Sequence, residues 1–560
     1  MAGIDEERWL PRRASPYLLL GLLTLICLLP FLGKAFNVDE PLFLWTARQI
    51  QAAPLDFYGF DVNWYGVEEP MHGVMKNPPL AAYYAAAVAG IFGFREIALH
   101  LAFLLPALGV VLGTYRLASR FCSRPMLAAL LVLLSPVFLV TSVAVGSDVA
   151  MLCLWVWATI LWVEGLESES RAKLVAGALL IAAAALTKYF AVSLLPLLAA
   201  YTLVRERRDW RRLLWLLMPV AAVAGYQVWT QQSYGRGLLL DAASYATADR
   251  DLSPVGLAQS AWVALCFAGG CLLPLLFCAP LLWSRRVVLM TLGAGFLAAS
   301  ASWAWMADLA PHATGTPAWF LALQVGLLVL GGVAVVALGL RELFVVRDPA
   351  GFLLAGWLLG TFFFAGFVNW AINGRSMLPL AVAAAILVVR RLDALPQRGR
   401  RRRVAWLLVP AGLVAILVAA SDAATADAQR SAATRLTAAH QNEQGTLWFQ
   451  GHWGFQYYME RRGARPLNYD GSVLEAGDRM VLPRNNVNVQ RAPLAHAVRT
   501  VDLLSFPLDP GFISTLDPRR GAGFYYHGMG PLPFALGSAS PEQFELLELT
   551  QGLDVRARRR

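Results

Sequence analysis

Lysine is nearly absent from this chain, which carries four (Lys34, Lys76, Lys173 and Lys188) against 43 arginines. Charge of either sign is also sparse, at 15% of 560 residues, where soluble domains usually carry about a quarter. With 58% hydrophobic residues and a mean hydropathy of +0.53, that scarcity excludes a soluble globular protein. The six cysteines lie at positions 27, 122, 153, 266, 271 and 278, in or beside apolar runs. None falls in the polar C-terminal region, so no disulfide framework is implied. An internal repeat of the kind transporters often carry is also missing.

What is present is a series of apolar stretches of about 20 residues, the length of a membrane-crossing helix. The net charge of +10 does not point to nucleic acid, because the arginines sit in short loops between those stretches. That is the pattern cytoplasmic loops show. The N-terminal apolar run has no small-x-small cleavage site and reads as a retained first helix.

Charge parity sets the topology. Arg8, Arg12 and Arg13 place the N-terminus inside, and a first span runs over residues 17–36. Arg116, Arg120 and Arg124 mark the next inner loop, so residues 97–115 cross between them. Leu80–Gly93 is too short to cross and reads as an interfacial or re-entrant helix opening at Pro78-Pro79. The apolar run 174–204 has basic residues on both flanks (Arg171 and Lys173; Arg205, Arg207 and Arg208) and must cross twice. It forms a hairpin with Thr187-Lys188-Tyr189 at its outer tip. Further spans are expected at 125–145, 148–164, 213–231, 258–283, 287–306, 318–340, 351–370, 376–391 and 404–421.

The fold class expected is therefore mainly α: a polytopic transmembrane helical bundle of about 13 spans. Residues 1–421 form the membrane module, with an outer loop over 37–96. Residues 422–560 form a small extracytoplasmic α/β domain, with an alanine-rich helix at 423–440 and strands near 446–450, 479–482 and 500–504.

The chemistry concentrates in the outer segments. Asn37-Val38-Asp39-Glu40 opens the long loop, which also holds Asp56, Asp61, Glu68 and Glu69. Asp39 and Glu40 are candidate catalytic carboxylates; a helix cap by Asn37 or Asp39 ahead of Glu40-Pro41 explains them as well. Asp148, after Ser147 at the next outer turn, has the same two readings. Lys76, Lys188 and Arg375 are candidate phosphate contacts, lysine being a compact point charge and Lys188 interrupting an apolar run where charge is expensive. Lys34, at a span end, reads as snorkelling. Tyr189 beside Lys188, His312 in a short outer loop and Glu69 complete the candidates. Glu68, Glu69 and His72 have the composition of a metal site without its spacing, so a divalent metal stays open and no other cofactor is called for. The aromatic stretches 451–458 and 523–527 suit the core of a small domain better than sugar stacking.

These features resemble the GT-C superfamily of membrane glycosyltransferases. Within it they are similar to the family-39 branch of protein O-mannosyltransferases and lipid A aminoarabinose transferases. The resemblance rests on Asp39-Glu40, Lys76-Asn77-Pro78-Pro79-Leu80, Asp148, Leu186-Thr187-Lys188 and Arg375-Ser376-Met377-Leu378-Pro379, in that order. O-mannosyltransferases commonly carry His where Asn77 stands, and aminoarabinose transferases carry Glu where Met75 stands. The resemblance implies an inverting transferase that takes its sugar from a polyprenyl-phosphate donor on the non-cytoplasmic face. The acceptor would be a lipid, glycan or protein. It implies Asp39 as the base, Glu40 or Asp148 as orienting groups, and Lys76, Lys188 and Arg375 against the donor phosphate. The location expected is the lipid bilayer of a bacterial inner membrane, with site and tail outside. The competing class is a transporter or lipid flippase, which predicts ionisable residues near mid-span and no sizeable outer domain; a non-catalytic assembly factor is a third.

Overall fold

The computed structural model describes residues 15–555 except 206–209, 249, 310–315, 397–399, 442, 492, 493 and 495. His312 and the arginines Arg8, Arg12, Arg13, Arg207 and Arg208 lie outside the described residues. The chain is mostly helical. Among the described residues, seven helices are long and apolar enough to cross a membrane, or eight if one bent pair counts as a span.

Three local features of that bundle shape the site. Residues 125–145, expected to form one span, are broken into the helices Pro125–Leu133 and Pro136–Ser142, bent by 64°. The break falls at Ser135, which is extended because the following proline disfavours helical geometry there. After the second half, Val143 and Val145 are buried. Leu80–Phe92 is a 13-residue helix that opens after Pro79 and stops at Gly93, where φ is +74°. The run 174–204 breaks at Lys188, extended between the helix Arg171–Thr187 and the helical stretch Tyr189–Arg205.

Helix packing is close where glycine allows it. A methyl group on Gly269 would lie 1.8 Å from the Leu328 carbonyl oxygen, and one on Gly332 2.0 Å from that of Leu265. Helices Pro254–Cys271 and Ala318–Arg341 therefore touch backbone to backbone.

The helix Arg400–His440 has 41 residues and runs through position 421 without a break, about 60 Å in all. It joins the expected last span to the alanine-rich segment. Beyond it lies a five-stranded mixed sheet. Leu447–Phe449 pairs in parallel with Arg465–Pro466 and with Arg479–Pro483, and the helix Trp453–Arg461 makes the crossover to Arg465–Pro466. Glu542–Leu549 then lies antiparallel between Arg479–Pro483 and Val498–Phe506. Three of these strands were legible as β-like runs; Arg465–Pro466 and Glu542–Leu549 were not.

The tail does not simply sit on the bundle. Ile513, Phe524, Leu532 and Phe534 are buried in the same hydrophobic cluster as the helices. Backbone bonds fix the contact: Gly374 N–H donates to the Phe524 carbonyl at 2.7 Å, and His527 N–H to that of Ile372 at 3.0 Å.

Candidate active site

The loop after the first helix is seated from behind by the C-terminal residues. Lys34, expected to snorkel, is instead 2% exposed and paired with Asp422 at 2.6 Å. The cause is physical: the helix Arg400–His440 presents the buried Asp422 carboxylate from its middle, and a paired charge need not reach water. Ala35 N–H donates to Asp427 and Phe36 N–H to the Tyr458 hydroxyl, both at 2.9 Å. Gly454 lies so close that a methyl there would sit 2.1 Å from the Phe36 carbonyl oxygen.

From that seat the chain turns through Val38 at φ +47°, a costly conformation for a β-branched residue. It then enters the helix Glu40–Ala52. Asp39 occupies the capping position, yet its side chain makes no capping bond. Asn37 caps nothing either, since both polar atoms of its amide are buried without a partner. The capping explanation of this motif is therefore replaced. Backbone geometry, not a cap, starts the helix, and Pro41 in the first turn suits that start.

Asp39, Glu40, Asp148, Lys188 and Arg375 line one cleft. Two ion pairs cross it: Arg375 to Asp39 at 2.6 Å, and Lys188 to Asp148. Arg375 comes from the short helix Gly374–Met377, whose N-terminus Asn373 caps by accepting from Ser376 N–H at 2.8 Å. Lys188 reaches in from its helix break, and Asp148 from the first turn of the helix Ser147–Glu167. Glu40 is 5% exposed; it accepts from Val145 N–H at 3.2 Å and lies 3.4 Å from His100 Nε2. It thus ties its helix to the bent segment and to the helix Glu96–Phe121.

Three residues that line the cleft were not among the expected site residues. Asn77 accepts from the Ser147 hydroxyl at 3.3 Å and through its carbonyl from Tyr58 at 2.6 Å. Asn37 lines the wall. Tyr525, from the tail stretch read as core, places its ring 5.5 Å from the Arg375 guanidinium carbon while its hydroxyl donates to Asp422 at 2.8 Å.

The remaining candidates fall elsewhere. Lys76 pairs with Asp241 at 2.5 Å, beside the Tyr245 ring, and is not a lining residue of the cleft. Tyr189 meets the Tyr226 hydroxyl at 3.1 Å. Glu69 lies on a small hairpin opposite Val62. Among the described residues no group of three or more His, Cys, Asp and Glu side chains is placed to hold a metal ion, which leaves Glu68, Glu69 and His72 without that geometry. His452 stacks on Trp64 with ring centres 4.5 Å apart. Burial pushes its pKa down to about 4, against the opposing pull of the Trp64 carbonyl and the Asp39 charge.

Part of the chain, the segment that carries Asp148 and Lys188, is similar to a family of membrane sugar transferases. The match covers residues 76–229, and the family is described as dolichyl-phosphate-mannose-protein mannosyltransferase. It includes Lys76, Asp148 and Lys188 and stops short of Asp39 and Arg375. Among solved structures the chain is similar to ArnT from Cupriavidus metallidurans in the apo state, at 16% identity over 86% of this chain and 94% of that one, with a TM-score of 0.44. The same protein bound to undecaprenyl phosphate gives 14%, 87%, 95% and 0.44. Arabinofuranosyltransferase AftD from Mycobacteria gives 15% identity over 96% of this chain and 41% of that one, with a TM-score of 0.39. A search of curated proteins gave no match.

Proposed function

We propose that the protein is an inverting glycosyltransferase that moves a sugar from a polyprenyl-phosphate donor to an acceptor outside the cytoplasm. The observation that carries this reading is the cleft with two carboxylate–cation pairs, Asp39–Arg375 and Asp148–Lys188. The matched family's description names a lipid-phosphate sugar as donor, which supports the donor class.

In the proposed reaction the acceptor oxygen attacks the anomeric carbon from the face opposite the phosphate. The carbon–oxygen bond to phosphate breaks, and its electron pair leaves with the polyprenyl phosphate. The acceptor proton passes to Asp39 as the attack proceeds. Arg375 and Lys188 stabilise the charge that grows on the phosphate. Glu40 and Asp148 hold the surrounding elements, and Lys76 meets the phosphate only by leaving Asp241. If the acceptor is itself a phosphate, no base is needed and Asp39 positions the acceptor.

The fuller architecture belongs to the same proposal. It comprises about 13 spans, residues 1–421 as the membrane module, residues 422–560 as the outer domain, and the cleft on the outer side of a bacterial inner membrane. A flippase or transporter is the alternative. That class predicts no sizeable outer domain, whereas the tail here builds a five-stranded sheet.

The test is donor turnover in membranes carrying the full chain, with a panel of radiolabelled polyprenyl-phosphate sugars. Wild type should release label. Asp39→Asn and Lys188→Ala should each lower the rate by a factor of about 100 or more. Variants that consume donor as fast as wild type would place the chemistry elsewhere.

A further inference from the structure

Among the described residues that line the cleft, Asn37 alone carries buried side-chain polar atoms without a hydrogen-bond partner. The residue is 2% exposed, it lines the cleft, and neither its Nδ2 nor its Oδ1 has a hydrogen-bond partner. Leaving both a donor and an acceptor dry and unpaired is unfavourable, and native structures rarely tolerate it without a use. The chain does not tolerate it by being loose. Residues 34–36 are pinned by Asp422, Asp427 and Tyr458, Gly454 fills the space behind, and Val38 is held at φ +47°. The backbone around Asn37 is thus fixed two residues before Asp39, while its side chain, bonded to nothing, meets a cleft ligand by turning about its own torsions.

We infer that Asn37 is a specificity residue that hydrogen-bonds the transferred sugar, taking a ligand group that both donates and accepts. A sugar hydroxyl, or two adjacent hydroxyls, matches an amide on both counts. A phosphate oxygen matches only the Nδ2 side and leaves Oδ1 dry. Arg375 and Lys188 already supply the cationic contacts a phosphate needs. Asn37 therefore reads the sugar end of the donor while the cations read the phosphate. The inference rests on the transferase reading and narrows it.

The test uses Asn37→Leu, close in shape and without polar atoms, in the full chain purified in detergent. Two readouts separate a ligand contact from a structural one. Removing two unsatisfied buried atoms should leave the thermal midpoint unchanged or raise it. At the same time KM for a polyprenyl-phosphate sugar should rise at least about tenfold, while binding of the bare polyprenyl phosphate should stay within about threefold of wild type. A lowered midpoint with activity falling in step would make Asn37 structural and overturn the inference. So would equal weakening of the bare and the glycosylated lipid, which would make it a phosphate contact. Because the midpoint and the bare-lipid binding need no turnover, a wild type that consumes no donor defeats the transferase reading through a different measurement.

Discussion

Replacing Lys34 with methionine tests how the tail supports the cleft. Lys34 and Asp422 are 0% and 1% exposed at their side chains, 2.6 Å apart. Without the ammonium, Asp422 keeps only the Tyr525 hydroxyl at 2.8 Å and the Thr515 hydroxyl at 3.4 Å. Neutral donors of that kind do not replace a paired charge, and removing one partner of a buried pair costs about 3–5 kcal/mol. Lys34→Met should therefore lower the melting midpoint of the detergent-purified chain by about 3–4 °C. Adding Asp422→Asn removes the stranded charge while keeping an acceptor for Tyr525, so the double variant should be more stable than Lys34→Met alone. The two changes should be non-additive by about 2 kcal/mol or more. Donor turnover should follow the same order, because Tyr525 lies against Arg375 and takes its place from Asp422. If Lys34→Met melts like wild type, or if the two losses simply add, the buried pair does not hold the tail to the cleft.

Two further outcomes follow from single positions. Gly454→Ala should cost about 1–3 kcal/mol and lower turnover at least about tenfold, because its methyl would lie 2.1 Å from the Phe36 carbonyl and push the segment that leads to Asp39; unchanged donor kinetics would refute that coupling. Glu542 is 2% exposed, and burial raises its pKa to about 8, with the Asn485 amide opposing and Asp517 assisting. A raised carboxylate pKa means the stability it allows is fully present below about pH 4.5 and is lost as pH rises through about 8. Unfolding free energy should accordingly fall by about 1.4 kcal/mol per pH unit across that window. Glu542→Gln should flatten the slope, its new amide N–H being able to reach the unpartnered Asn485 Oδ1.

The sequence made the helices legible because apolar length is a local signal, and so were the stops. Pro78-Pro79 opens the helix Leu80–Phe92, and Lys188 breaks the run 174–204. Pro136 was as visible as these, but its consequence was not. A proline inside 20 apolar residues is compatible with a kinked span, and only packing decides that the chain bends by 64° and sends Val145 toward Glu40. Asp39, Glu40, Asp148, Lys188 and Arg375 could be named in advance because charge beside apolar runs stands out. Asn37 and Tyr525 could not. Asn37, two positions before Asp39, reads as a cap, and a tyrosine in an aromatic stretch reads as core; the first is decided by the missing cap bond and the second by Asp422, 103 positions away, and by Arg375. Lys34 misled for the same reason, since Asp422 lies 388 positions along the chain.

The pairing inside the cleft has a consequence for the order of events in the proposed reaction. Arg375 and Lys188 each already face a carboxylate, so a donor phosphate does not enter an open cationic site. It competes with Asp39 for Arg375 and with Asp148 for Lys188. When Arg375 turns to the phosphate, Asp39 is left without its ion-pair partner and is free to meet the acceptor hydroxyl. Donor binding and release of the base are then one exchange rather than two steps. The Tyr525 ring can stay beside the guanidinium through that exchange, because a ring face holds a cation without fixing which anion it meets. On this logic the residue from the far end of the chain is what lets Arg375 change partners without leaving the cleft.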